Sequence, residues 1–309
     1  MAPAPLAGAG DSGPALELRR EPSTPARLAP MPAVEEGPFA RAVPAAAAAF
    51  GGFLDGVQES RVAAWLAAGV PLVVGRVGVA ILAREGRDLR AWPGGVRERT
   101  VVVAPRALVE AATWAEVASI ATVVDSGASA DDRHPDRLVS AAVHAVEQVR
   151  AAEERALAER WADDALEPLC VDGSIAALGA AAHAPRIVGL VKSHRTLVVA
   201  PEDLPALMAL PEGSRTRVVA LTGSHHRSTV WTWYLRLRTP VATDPLFGLV
   251  RVELADAGEP TARADTVSGW VLAERTPLAL PDARWDVMPY GIARCETYLK
   301  RGLGLRTGA

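Results

Sequence analysis

Apolar runs, alternating or continuous, dominate much of the chain and predict strands. FGGFLDG (residues 50–56) is a short apolar segment closing on Asp-Gly, the pattern of a strand running into a turn. Further β-like stretches are VPLVVGRVGVAILA, RTVVVAP and ATVVDSG. From about residue 134 to 161 the period changes to 3.6, with no Pro or Gly after Pro135, and Asp131 and Asp132 just ahead mark a helix start. EPLCVDGSIAALG then reads as a buried strand whose apolar run ends in Asp172-Gly173-Ser174. RIVGLVKSH, TLVVAPEDLPALMALP, RVVALTG, TVWTWYLRLR and LFGLVRVELA supply more strands, with one short helix around residues 204–210. A helix near 267–274, the loop TPLALPDARWDVMP and a last helix YGIARCETYLKRG, closed by Gly302, complete the chain. This succession predicts one α/β domain over residues 47–309, a mixed sheet flanked by helices. Residues 1–46 hold nine of the 24 prolines and have neither period, so they read as a mostly extended or flexible arm.

The long central helix has an unusual stripe: Val139, Val143, Val146, Arg150, Glu154, Leu157, Trp161. Two charged residues interrupt an apolar face, and a carboxylate there needs compensation from Arg150 one turn away or from a metal ion. Glu153 is the alternative acid, but its stripe ends in mixed polarity and lies nearer the surface.

Composition narrows the classes. The chain has 309 residues, half of them hydrophobic, and its mean hydropathy is +0.14, enough to bury a sizeable core. No apolar run reaches the roughly 18 residues that span a bilayer. The N-terminus lacks a basic segment followed by an apolar one, so a cytoplasmic protein without membrane association is expected. Cys170 and Cys295 are too few for a disulfide framework or a four-cysteine zinc site. The net charge of −3 is uneven, because the segment 186–251 carries nine basic and four acidic residues. A local positive field in an acidic protein suits a polyanion held in a groove; the alternative is a solvated Arg-rich face. Trp231, Trp233 and Tyr234 lie among Arg227, Arg236 and Arg238, as in tracks that stack unwound bases, although alternation sends both tryptophans to one face, where they fill core.

Several activities are disfavoured. There is no GxxxxGK[ST] phosphate loop and no GxSxG elbow, and the single GxGxxG match, at Gly8, Gly10 and Gly13, lies in the proline-rich arm with no strand before it.

The acids form an order of their own. Asp55-Gly56 and Asp172-Gly173 each end an apolar run, and glycine after each aspartate lets a ligand or another backbone come close. Oxygen ligands of this kind, with a helical glutamate facing the same sheet, select Mg²⁺ or Mn²⁺ over zinc. Asp55, Glu154, Asp172 and finally Glu296, on a stripe with Ile292 and Leu299, follow the succession by which a ribonuclease-H-like fold assembles a two-metal phosphodiesterase centre. Asp125 stands too close before the long helix to replace Asp55, and Glu253 reads as an outward strand residue.

FLDGVQES, the helix RAAEERALAERW running into PLCVDGSIAALG, and RIVGLVKSH together resemble the NurA family, nucleases that partner HerA-type hexameric ATPases in DNA end processing. MPYGIARCE matches the last family motif more loosely, with Met288 where the family has tyrosine and Glu296 where it has His or Asp. The resemblance runs from about residue 50 to 301. It implies a ribonuclease-H-like fold, a deoxyribonuclease dependent on two Mn²⁺ or Mg²⁺ ions, 5′-to-3′ exonuclease and single-strand endonuclease activity, a homodimer, and a HerA-like partner. Carried over by position, Asp55, Glu154, Asp172 and Glu296 hold metal, Arg150 orients Glu154, and Lys192 contacts phosphate. His194, Arg195, Arg227, Arg236 and Arg238 complete the expected DNA-binding set. The rival expectation is a catalytically degenerate DNA-binding or ATPase-docking subunit of the same fold.

Overall fold

The computed structural model describes residues 26–221, 229–240, 244–275 and 289–304. Short strands β1 (Arg27–Leu28) and β2 (Ala40–Ala42) precede three long ones, β3 (Gly52–Leu66), β4 (Val70–Glu85) and β5 (Asp88–Ala104). Helix α1 (Ala111–Ile120), β6 (Val123–Asp125) and the long α2 (Pro135–Asp164) follow. Then come β7 (Leu169–Asp172), β8 (Ile187–Val191), β9 (Thr196–Leu197), α3 (Leu204–Met208), β10 (Ser214–Thr216), β11 (Val219–Leu221), β12 (Val230–Arg236) and β13 (Leu249–Ala255). Helices α4 (Pro260–Ala273) and α5 (Tyr290–Gly302) end the described chain. The main sheet runs β2-β10-β12-β13-β8-β7-β3-β4-β5-β6, with β11 also paired to β12. Strands β3, β7 and β8 are parallel, whereas β13 and β12 run antiparallel to their neighbours. The expected mixed α/β architecture, a mixed sheet flanked by helices, is therefore present. Among the described residues, no helix is long and apolar enough to cross a membrane.

Two local expectations are corrected, and one helix carries no sequence signal. Asp55-Gly56 is not a turn, because β3 continues through it to Leu66; extended neighbours on both sides carry the glycine. Helix α1 has no buried residue, so it left no apolar stripe to read. Gly302 lies inside the last turn of α5, and Gly304, at φ +64°, takes the left-handed conformation that follows the helix. Residues 26–42 are extended and tied down: β1 pairs with β9, β2 with β10, and Ala33 bridges Val219.

The chain divides into two compact units. One contains Gln58–Arg76 and Arg99–Glu147, and its core gathers Val70, Ala104, Val109 and Leu138. The other contains Pro22–Val57, Val77–Glu98 and Gln148–Ala309, and every acid of the predicted site belongs to it. Its core joins Phe50, Phe53, Cys170 and Val188 to Trp231, Trp233, Leu254 and Ile292. The two tryptophans thus fill core, as alternation predicted. Tyr234 is buried as well, its hydroxyl accepting from Val198 N at 2.8 Å.

Candidate active site around Asp55 and Asp172

Parallel pairing brings the two Asp-Gly motifs together. Gly52, Phe53 and Leu54 stand opposite Leu169, Cys170 and Val171, so one step further along the register Asp55 comes beside Asp172. Neighbouring strands lie about 4.8 Å apart. Alternation then assigns the faces. Gly291 of α5 sits directly on the Phe53 ring, so the odd positions of β3 face α5. Trp161 of α2 covers Gly52, and a Cβ on Gly56 would collide with Glu154 Oε1, so the even positions face α2. Glycine at 56 is thus what admits the glutamate. Asp172 ends β7, and Gly173 after it adopts φ +121°, a conformation that favours glycine.

The electrostatics are those of acid in excess. Asp55 is only 6% exposed, and its Oδ1 accepts the Gly56 N–H at 2.8 Å. Burial, then the negative charges of Asp172 and Glu296, hold its carboxyl well above the usual aspartate range, while Lys192 pulls the other way. Lys192 Nζ lies 2.7 Å from Asp172 Oδ2. Burial also raises Glu154, against the attraction of Arg150, which donates to Glu154 Oε1; the Asp172 charge adds to the rise. Glu296 pairs with Lys300 at 2.7 Å. Glu154, and not Glu153, is the acid that reaches this region: Glu153 faces Arg97 at 4.0 Å.

The four acids do not form one cluster in this structure. Among the described residues, no three His, Cys, Asp or Glu side chains stand close enough together to hold a metal ion. The reason is the sheet itself, since Asp55 faces α5, which carries Glu296, while Glu154 projects from α2 on the opposite side. Asp172, at a strand end, is the acid whose charge reaches both Asp55 and Glu154. The donor chemistry nevertheless fits a hard divalent cation: the side chains offer oxygen only, and their mutual repulsion is what such an ion relieves.

The basic candidates separate sharply. Arg236 is fully buried, and its five N–H groups donate to the carbonyls of Leu207, Met208, Leu210, Pro245 and Phe247. Arg238 is buried too, with Nε in the interior. Arg236 is not a surface phosphate ligand, because β12 is covered on both faces. His194 directs Nε2 to Leu249 O at 2.9 Å, and burial lowers its pKa, which disfavours a cationic ring. Arg195 is exposed, and Arg227 lies outside the described residues, as do His225, His226 and Met288. With Arg215 fully buried, Arg217 paired to Asp203 and Arg251 to Glu253, much of the positive charge of this segment is neutralised within the fold.

Two other acids are settled by their partners. Asp125 Oδ1 accepts from Arg106 N at 3.0 Å and Gly127 N at 2.9 Å, a turn-forming role. Glu253, expected to face outward, is fully buried against the loop after Asp172. Its strand alternates Arg251 and Glu253 on one face, and that pairing of opposite charges was the available signal.

No protein-family model matches the chain, and no curated protein matches it. Among solved structures it is similar to the NurA nuclease from Sulfolobus solfataricus, with a TM-score of 0.49 and 11% identity over 84% of this chain and 81% of that one.

Proposed function

We propose that the protein is a metal-dependent deoxyribonuclease with Asp55 and Asp172 at its centre. The observation that carries the reading is the register that sets these two aspartates side by side, with the Asp55 carboxyl buried and raised by its neighbour. Acids perturbed by burial and a like charge cluster at functional sites. Asp55 and Asp172 would hold Mn²⁺ or Mg²⁺, with Glu296 of α5 on the Asp55 side, while Glu154 of α2, on the other face, would act through the Asp172 charge that reaches it. Two such ions, when bound, activate water and stabilise the leaving oxygen of a phosphodiester. Arg150 holds Glu154 in place, and Lys192 offers its ammonium to a phosphate oxygen. The motif resemblance adds 5′-to-3′ digestion, single-strand cleavage, a homodimer, a role in DNA end resection and a HerA-like motor, which this chain needs for translocation because it lacks a phosphate loop of its own.

One observation favours a second reading, a binding subunit of the same fold without catalysis. Asp172, Glu154 and Glu296 each already have a lysine or arginine partner. One experiment separates the two: cleavage of 5′- and 3′-labelled linear duplex and of circular single-stranded DNA in Mn²⁺, Mg²⁺ or EDTA, beside Asp172→Asn. Metal-dependent cleavage lost in the variant is the expected result. Salt-sensitive DNA binding without cleavage selects the second reading, and full cleavage by Asp172→Asn removes the assignment of the site.

A further inference from the structure

The loop that follows Asp172 is anchored by a residue from two strands away. Glu253 of β13 stands opposite Gly189 of β8, which in turn stands opposite Val171 of β7. Gly189 leaves a gap in this row, and the loop occupies it: a Cβ there would lie 2.7 Å from Gly173 O and 3.1 Å from Ile175 N. Over the same gap Glu253 Oε2 accepts two hydrogen bonds, from Ser174 Oγ at 2.7 Å and Ile175 N at 3.0 Å. Its other oxygen lies 2.8 Å from Arg251 Nη2. The carboxylate is fully buried, so these contacts are not exchanged with water.

We propose that Glu253 is a positioning residue, which together with the bare Cα of Gly189 anchors the turn at 173–175 and thereby sets the place of the Asp172 carboxylate. The inference rests on the nuclease reading for its activity readout. Its physical basis is independent: Gly173 at φ +121° links Asp172 directly to the anchored residues. A buried acceptor that orders a backbone N–H and a hydroxyl is costly to remove, because both donors are then left without a partner. Residues that orient metal ligands from behind typically change affinity or activity 10–100-fold.

The test compares Glu253→Leu, which has similar bulk and no acceptor, with Glu253→Gln, whose amide oxygen can still take both bonds. Three readouts are used: hydrogen exchange at the Ile175 amide, Mn²⁺ affinity by calorimetry, and kcat and KM for cleavage of labelled single strands. The expected result is faster exchange at Ile175, Mn²⁺ binding weakened by about 10-fold and kcat lowered by about 10–100-fold in Glu253→Leu. KM stays near the parent value, and Glu253→Gln recovers most of the loss. Equal losses in Gln and Leu, or unchanged exchange and Mn²⁺ affinity in Leu, would overturn the proposal. If Glu253→Leu fails to fold, Gly189→Ala and Ser174→Ala load the same turn and must reproduce the defect in order of their clash and their lost bond. Should Asp172→Asn cleave and bind Mn²⁺ like the parent, the nuclease reading itself fails, whereas loss in Asp172→Asn with no effect at Glu253 defeats only the positioning role.

Discussion

Arg215 and Asp55 are both charged residues buried in the same compact unit, and their surroundings are opposite. Arg215 is fully enclosed and completely matched: Nη1 and Nη2 donate to Glu35 at 2.7 and 2.9 Å, Nε to Asp265 at 2.6 Å, and the carbonyls of Thr216 and Thr261 take further bonds. Burial alone would raise Glu35, yet Arg215 and the Val218 N–H outweigh it and hold the carboxyl below the usual range. Asp55 has one backbone donor and two acidic neighbours, and it is raised. Saturated ionic clusters hold segments together, here fastening residues 35–41 to β10 and α4; unsaturated ones await a cation or a proton.

Breaking the saturated cluster has the largest expected effect. Arg215→Ala removes the buried guanidinium that joins Glu35 to Asp265, leaving Glu35 only the half-exposed Arg41 at 3.1 Å as a cationic partner, and should cost about 3–5 kcal/mol in urea unfolding. Cleavage per folded molecule should be unchanged. Loss of activity at constant folded fraction would erase the distinction between the regions. Asp172→Asn should show the converse, cleavage reduced by more than about 100-fold, beyond the upper range for losing an outer partner of a metal ligand, with little change in stability.

A smaller effect sharpens the comparison by sign. A carboxyl whose folded pKa is raised destabilises the fold where it is ionised, so Asp55→Asn should raise the melting temperature at pH 7. That gain should fade as the pH falls through the raised folded pKa toward the ordinary aspartate value, where the parent is protonated as well. Glu35 behaves oppositely: its depressed pKa stabilises the fold above the unfolded value, and the contribution is lost as the pH falls through the folded one. A melting temperature that drops in Asp55→Asn would mean that Asp55 is as well satisfied as Glu35. The smallest expected effect is at Lys192, whose charge pulls Asp55 down. In Lys192→Gln the acid limb of the pH–rate profile should move to higher pH, independently of any fall in the plateau.

The parts of this molecule that could be read along the chain are those whose signal is local. The stripe through Arg150, Glu154, Leu157 and Trp161 turns Glu154 toward β3 while Glu153 faces Arg97, and alternation sent Trp231 and Trp233 to the core. Arg236 escaped because all seven residues of β12 are buried, and a strand covered on both faces gives no alternation to tell a surface arginine from an interior one. Glu253 escaped for the same reason, on a β13 buried almost throughout.

By itself, the order of residues determined the helices other than α1, most strands and the two aspartate–glycine pairs, because hydrophobic period and glycine placement are properties of neighbours along the chain. The tertiary structure alone decided that β3 lies beside β7, that Asp55 and Glu154 belong to opposite faces, and that Arg236 and Glu253 are interior. Strand partners and the burial of charge depend on groups far apart in sequence. Their free energy is set by which donors and acceptors meet, and that is defined only once the sheet has formed.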